Sequence, residues 1–249
     1  MSRATRKRRS KQSLSDWAAK PVKPGRCVTL THVATDLIEI DRLEPSPDAL
    51  DRAAAAIRRG RVVAVPTDAL YALVADPFNL RAVRQVYLAK GREIHRALPM
   101  LVRDSMMAEE LARDIPPWFK LLARKFWPGP LTIIMPASAK VPLRATGNTG
   151  RLAVRQAQCR VTDELIARLN QPVIATSANI SGRPTCRSGI EVFGVMDGSV
   201  DLVLDGGSCE GIGASTVDIT EIDWRMIKEG AITQKEIAEC LEDSDPASF

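Results

Sequence analysis

From Pro47 onward the apolar positions alternate between helical and strand spacing. "SPDALDRAAAAIRRG" (46–60) carries an Ala-rich face, a Ser46 or Asp48 cap and a Gly60 stop, which predicts a helix. "RVVAVP" (61–66) is a short apolar strand ended by proline. Helical spacing returns in "NLRAVRQVYLAKGR" (79–92) through Leu80, Val83, Val86 and Tyr87. "LPMLV" reads as a strand, "SMMAEELAR" as a helix, and "PPWFKLLARKFW" as a helix with proline in its first turn. "PGPLTIIMP", "RLAVR", "PVIA", "VDLVLD", "STVDIT" and "WRMIK" read as strands. "VTDELIARLN", capped by Thr162 or Asp163, and the closing "TQKEIAECLE" read as helices. Earlier, "CVTLTH" (27–32) suggests a strand and "EPSPD" a turn. This alternation predicts one α/β domain over residues 47–241, a basic extension over 1–46 and an acidic tail over 242–249.

Charge changes the picture because it is unevenly placed. Residues 1–26 hold nine Lys and Arg against the single acid Asp16, a charge of +8. Subtracting that from the overall +5 leaves −3 for residues 27–249, so the basic character belongs to the extension. Such a tail could touch RNA through counterion release, or be a solvated arm without a partner. The five cysteines are scattered and form no CxxC pair, which argues against a disulfide framework or zinc site and fits a reducing, cytoplasmic setting. With only His32 and His95, a histidine triad or histidine-rich metal site is not expected. No apolar run approaches the ~18 residues of a membrane span.

Polar groups gather where strands end. Thr67 and Asp68 follow "VAVP", Thr176, Ser177 and Asn179 follow "PVIA", and Gly206-Gly207-Ser208 follow "LVLD". Each alone is ordinarily a turn or helix cap. Three together suggest a shared pocket, since open α/β sheets bind ligands beyond the carboxyl ends of their strands. Lys90, Arg92 and Arg96 surround Gly91, while Arg151 and Arg155, four apart on one strand, face the same way. Lys228 closes the last strand. Cations and short hydroxyls at such loops suit a polyphosphate, although GxxxxGK[ST] and GxGxxG are missing. Catalysis would then rest on positioning and charge stabilisation.

Seven blocks in order resemble the YrdC family of L-threonylcarbamoyladenylate synthases. They are "VVAVPTDALYAL", "YLAKGR", "KFWPGPLTIIM", "RLAVR", "PVIATSANISGRPT", "DLVLDGGSCEGIGASTVDIT" and "IKEGAI". The resemblance implies a single twisted mixed-sheet domain with helices packed around a basic cavity. It implies formation of threonylcarbamoyl-AMP and pyrophosphate from L-threonine, bicarbonate or CO2, and ATP, for the t6A modification of tRNA. Mg²⁺ would arrive with ATP, and a separate transferase would receive the product.

Position by position, the resemblance assigns Thr67, Arg155 and Ser215 to threonine. Lys90 and Arg92 become the catalytic basic pair at the phosphates, with Arg96 beside them. Ser177, Asn179, Thr185 and Lys228 complete the ATP contacts. The chain departs from the family at Ala69 (usually Thr or Ser), Ala72 (usually Gly) and Lys228-Glu229-Gly230 (usually Arg-Pro-Gly). Two other readings stay open: the carbamoyl-adenylate chemistry of hydrogenase maturation proteins, and a non-catalytic RNA-binding module anchored by the tail.

Overall fold

The computed structural model describes residues 34–242. The basic residues 1–26, the proposed strand "CVTLTH" and residues 243–249 of the acidic tail lie outside them. Ten strands form one sheet: β1 Asp36–Glu39, β2 Val63–Val65, β3 Ala72–Ala75, β4 Met100–Leu101, β5 Leu131–Pro136, β6 Arg151–Arg155, β7 Val173–Ser177, β8 Leu202–Asp205, β9 Ser215–Asp218 and β10 Arg225–Lys228. Seven helices join them: α1 Pro47–Arg58, α2 Leu80–Lys90, α3 Ser105–Leu111, α4 Trp118–Phe126, α5 Arg160–Leu169, α6 Gly189–Met196 and α7 Gln234–Glu242. The strand order is β1-β8-β2-β3-β7-β4-β6-β5-β9-β10. Pairings are mixed: β1–β8, β2–β8, β4–β6 and β5–β9 are parallel and the rest antiparallel.

Helices cover both faces of the central strands, which explains their unbroken apolar runs. Val63 and Val65 of β2 pack with Leu50 and Ile57 of α1 and Leu165 of α5. Ala64, the alternate residue, points to the other face with Val83 and Val86 of α2 and Val192 of α6. A third cluster joins Phe119 and Leu122 of α4 to Ile237 of α7 over Ile133 and Val217. Phe119 and Trp127 meet edge to face at 5.6 Å. Side chains such as Leu50 and Phe119 are fully buried, each worth roughly 1.5–3 kcal/mol of transfer free energy.

Several expectations shift by physical detail. β1 falls inside residues 1–46, read as an extension, so the sheet begins before Pro47; its Asp36 to Glu39 lie beside Leu202 to Asp205. α1 does start after Ser46, but the Ser46 side chain makes no capping bond. α5 is capped at Cys159 rather than Thr162 or Asp163; the Thr162 hydroxyl instead donates to the Cys159 carbonyl at 2.8 Å. α2 has a full cap at each end. The Asn79 side chain accepts from the amides of Arg81 and Ala82, and Gly91 closes it in the left-handed conformation (φ 54°).

The sheet curls, and the curl makes the site. Three strands separate β2 from β6, so a flat sheet would hold those two roughly 19 Å apart at ~4.8 Å per spacing. Asp68, just after β2, nevertheless forms an ion pair with Arg155 at the end of β6. The loop after β2 therefore leans over a hollow whose floor is the β6-β5-β9-β10 half of the sheet.

Candidate active site

That hollow is a cavity of about 420 Å³. Thr67 and Tyr71 form one side, Ser177 and Thr185 another, and Arg92 and Arg96 approach from beyond Gly91. Arg155, Thr132, Thr216 and Lys228 lie along the floor. Leu70, Met100 and Leu101 add apolar surface. The strand ends are of mixed polarity: β2 and β7 contribute their carboxyl ends, whereas β5 and β9 contribute their amino ends. The simple rule of ligands at carboxyl ends thus accounts for half the site. The third loop expected there, Gly206-Gly207-Ser208, is engaged elsewhere. The Tyr71 hydroxyl donates to the Gly207 carbonyl at 2.9 Å and accepts from the Gly206 amide at 2.9 Å, while Arg42 donates to the Ser208 carbonyl.

The "TSAN" wall is held from behind. Lys90, expected at the phosphates, is 1% exposed and does not line the cavity. Its Nζ donates to Asn179 Oδ1 at 2.8 Å, to the Asn179 carbonyl at 3.0 Å and to the Ser177 carbonyl. Burial first, and then the neighbouring Arg92 charge, push its pKa down to about 8. Asn179 likewise faces inward: its Oδ1 accepts from Ser177 Oγ at 2.7 Å and its Nδ2 donates to the Arg183 carbonyl. Lys90 and Asn179 are therefore builders of the wall, and Thr176 and Ser177 are its members that line the cavity.

Arg92, by contrast, lines the cavity while its Nη2 donates to the Ala97 carbonyl at 2.9 Å; its buried Nε has no partner. Arg96 stands beside it, exposed. Arg155 is 7% exposed and paired to Asp68, and its Nε is also without a partner. Desolvation lowers its affinity for a proton and the Asp68 carboxylate opposes that shift. Arg151, on the same strand, turns instead to Asp218 (2.8 Å) and Glu221 (3.2 Å), outside the cavity lining.

Thr67 lines the cavity, but its hydroxyl also turns the loop, donating to the Leu70 carbonyl at 2.6 Å and accepting from the amides of Ala69 and Leu70. Ala69, one departure from the family, thus offers its amide to the turn. Ala72, another, pairs with Ser177 across β3 and β7 and lines the cavity. Ser215, expected at threonine, is fully buried. Its Oγ donates to the Ile232 carbonyl and accepts from the amides of Gly230 and Ile232, both at 2.9 Å. It points away from the cavity because strand side chains alternate, and its neighbour Thr216 takes the inner face. Gly230 itself needs no side chain: an added Cβ would sit 2.0 Å from the Gly213 carbonyl oxygen.

Thr132 and Thr216 are cavity residues that the sequence reading did not assign. Strand alternation gives two faces but not which one is covered, so only the signal "GPLT" was available for Thr132. A carboxylate of raised pKa, Asp163, lies near the site: burial, and then the Asp68 charge, raise it to about 6.

Comparison with known proteins agrees with this architecture. The Sua5/YciO/YrdC family model (Sua5_yciO_yrdC, described as "Telomere recombination") matches residues 55–230. The threonylcarbamoyl-AMP synthase of Pyrococcus abyssi (strain GE5 / Orsay) is 35% identical over 190 residues, covering 76% of this chain and 56% of that protein. That of Bacillus subtilis (strain 168) is 32% identical over 200 residues, 79% of this chain and 58% of that protein. The chain thus spans a little over half the length of these two relatives. In three dimensions it is similar to P. abyssi Sua5 complexed with L-threonine, with TM-score 0.80 and 33% identity over 83% of this chain and 61% of that one. This chain belongs to the Sua5/YciO/YrdC family.

Proposed function

We propose that the chain is an enzyme that forms threonylcarbamoyl-AMP and pyrophosphate from L-threonine, bicarbonate or CO2, and ATP. One observation carries the reading: four cations, Arg92, Arg96, Arg155 and Lys228, share one cavity with the hydroxyls of Thr67, Ser177 and Thr185. A cavity of about 420 Å³ with this lining suits a small amino acid beside a nucleotide. The naming of the P. abyssi and B. subtilis relatives supports it further.

In this reading the threonine carboxylate sits on Arg155 and the triphosphate near Arg92 and Arg96. The carbamate formed on the threonine amine attacks the α-phosphorus in line, and pyrophosphate leaves. Charge grows on the departing pyrophosphate oxygens, and guanidinium groups stabilise it without having to reorganise. Mg²⁺ enters as part of the nucleotide substrate; among the described residues no group of three or more His, Cys, Asp or Glu could hold a metal. Handing the adenylate to a tRNA-modifying transferase, contact between the tail and tRNA, and a cytoplasmic setting belong to the same proposal.

Incubation with ATP, L-threonine and labelled bicarbonate, followed by chromatography, tests it. The expected result is a labelled adenylate whose formation requires threonine. Label confined to bicarbonate, with ATP unchanged, would overturn it.

A further inference from the structure

The floor of the cavity contains an ordered row. β6 and β5 are antiparallel with Val154 opposite Ile133, so one step further along Arg155 comes abreast of Thr132. β5 and β9 are parallel with Thr132 opposite Thr216, and across β9 and β10 Thr216 is opposite Lys228. Four adjacent strands therefore present Arg155, Thr132, Thr216 and Lys228 side by side, and all four line the cavity. Neighbours in such a row are about 5 Å apart. The arrangement is a cation, two neutral hydroxyls and a second cation.

The two hydroxyls differ from those of Thr67 and Ser177. Thr67 turns its own loop and Ser177 is bonded to Asn179, whereas neither Thr132 nor Thr216 has a side-chain hydrogen bond among the described residues. Thr132, 7% exposed as a residue, lines the cavity, and its hydroxyl has no protein partner among the described residues. A cavity-lining hydroxyl without a protein partner is free to donate to and accept from a bound ligand. We propose that Thr132 and Thr216 read the side-chain hydroxyl of the amino-acid substrate and so set the preference for a β-hydroxy amino acid.

The inference rests on the adenylate-forming reading and adds what selects its substrate. With the carboxylate held by Arg155, the next positions along the row lie within reach of an amino acid's side chain. The group that belongs there is neutral, because the flanking donors are neutral. An anionic carbamate is better matched by a guanidinium or ammonium group, several of which the cavity supplies elsewhere. A hydroxyl can both donate to one threonine side chain and accept from the other. Sites built in this way reject analogues that lack the group, because their own hydroxyls are then left unpaired.

The test compares L-threonine with L-valine, in which a methyl replaces the hydroxyl, by pyrophosphate release and by calorimetric titration. In the wild type threonine should be strongly preferred. Thr132→Val, which keeps shape and loses the hydroxyl, should lower kcat/KM for threonine about tenfold, mainly through KM, and leave valine unchanged or improved. Thr216→Val should act in the same direction, and Thr132→Ser should restore the preference. An equal loss for both amino acids, or an unchanged ratio in both valine variants, would overturn the proposal. Should the wild type release no pyrophosphate with any amino acid, the adenylate reading itself falls, and this inference with it. That outcome is separate from an active enzyme whose selectivity ignores Thr132 and Thr216.

Discussion

The two halves of the cavity use polar residues in opposite ways. In the wall, Lys90, Ser177 and Asn179 spend their hydrogen bonds on one another and on nearby carbonyls. On the floor, the hydroxyls of Thr132 and Thr216 make no protein hydrogen bond among the described residues, and Arg155 Nε is buried without a partner. The wall is a satisfied network that holds a loop in place, whereas the floor has unused bonding capacity that a ligand can complete. Motif membership does not separate these roles; direction and saturation do.

The largest expected effect of breaking this contrast lies at Arg155. Arg155→Met leaves the partly buried Asp68 beside Asp163 without its counter-ion and should cost about 3 kcal/mol in urea unfolding. The double variant Arg155→Met/Asp68→Asn should recover part of that loss. If it does not, the Asp68–Arg155 pair is not what holds the loop over the floor. Next comes Lys90→Met, which removes the ammonium from three acceptors of the wall and should cost about 2 kcal/mol. Nucleotide turnover should fall through displacement of the Ser177 loop, with the Arg155 subsite intact.

Lys90 also gives a pH signature. Its pKa is about 8 in the folded chain against 10.5 for the unperturbed group, so between those values the unfolded chain holds the extra proton. Unfolding therefore becomes harder as pH rises across that window, and the penalty of the buried charge is fully present below about 8. Measured against Lys90→Met, the wild type should gain stability between pH 8 and pH 10.5. A flat difference would place the ammonium in water.

Ser215→Ala should be milder, about 1 kcal/mol, because it loses the clamp on Gly230 to Ile232 and touches no substrate directly. Its effect on turnover should come through Lys228 and Gly213, whose positions follow that turn. The smallest stability change is expected at exposed Arg96. Arg96→Gln should leave unfolding within about 0.5 kcal/mol of the wild type while weakening ATP binding roughly threefold.

Much of this fold was legible because most elements carry their own periodicity. α1, α2, α4 and α5 repeat apolar residues at helical spacing, and β5, β6 and β8 are short apolar runs between turns. The elements missed lack such a signal. β1 reads "DLIE" at an exposed edge, β3 follows a turn too closely to stand apart from "TDALYAL", and α6, "GIEVFGVM", contains two glycines and little amphipathic contrast. At the site, the cations Arg92, Arg96, Arg155 and Lys228 lie in one cavity, where the chain's pattern of charge had suggested a phosphate-binding region. Lys90, Asn179 and Ser215 turned inward because residue type does not reveal which neighbour will saturate a side chain. Thr132 was hidden because strand alternation leaves open which face is covered, and that is decided by a curl bringing distant strands together.

Calorimetric titration of L-threonine in the presence of ATP, into Arg155→Met and Lys90→Met in parallel, tests the division between floor and wall most directly. The account predicts that Arg155→Met abolishes threonine binding, while Lys90→Met keeps it within a few-fold of the wild type. Threonine binding that survives loss of the Arg155 guanidinium but disappears with the Lys90 ammonium would contradict it.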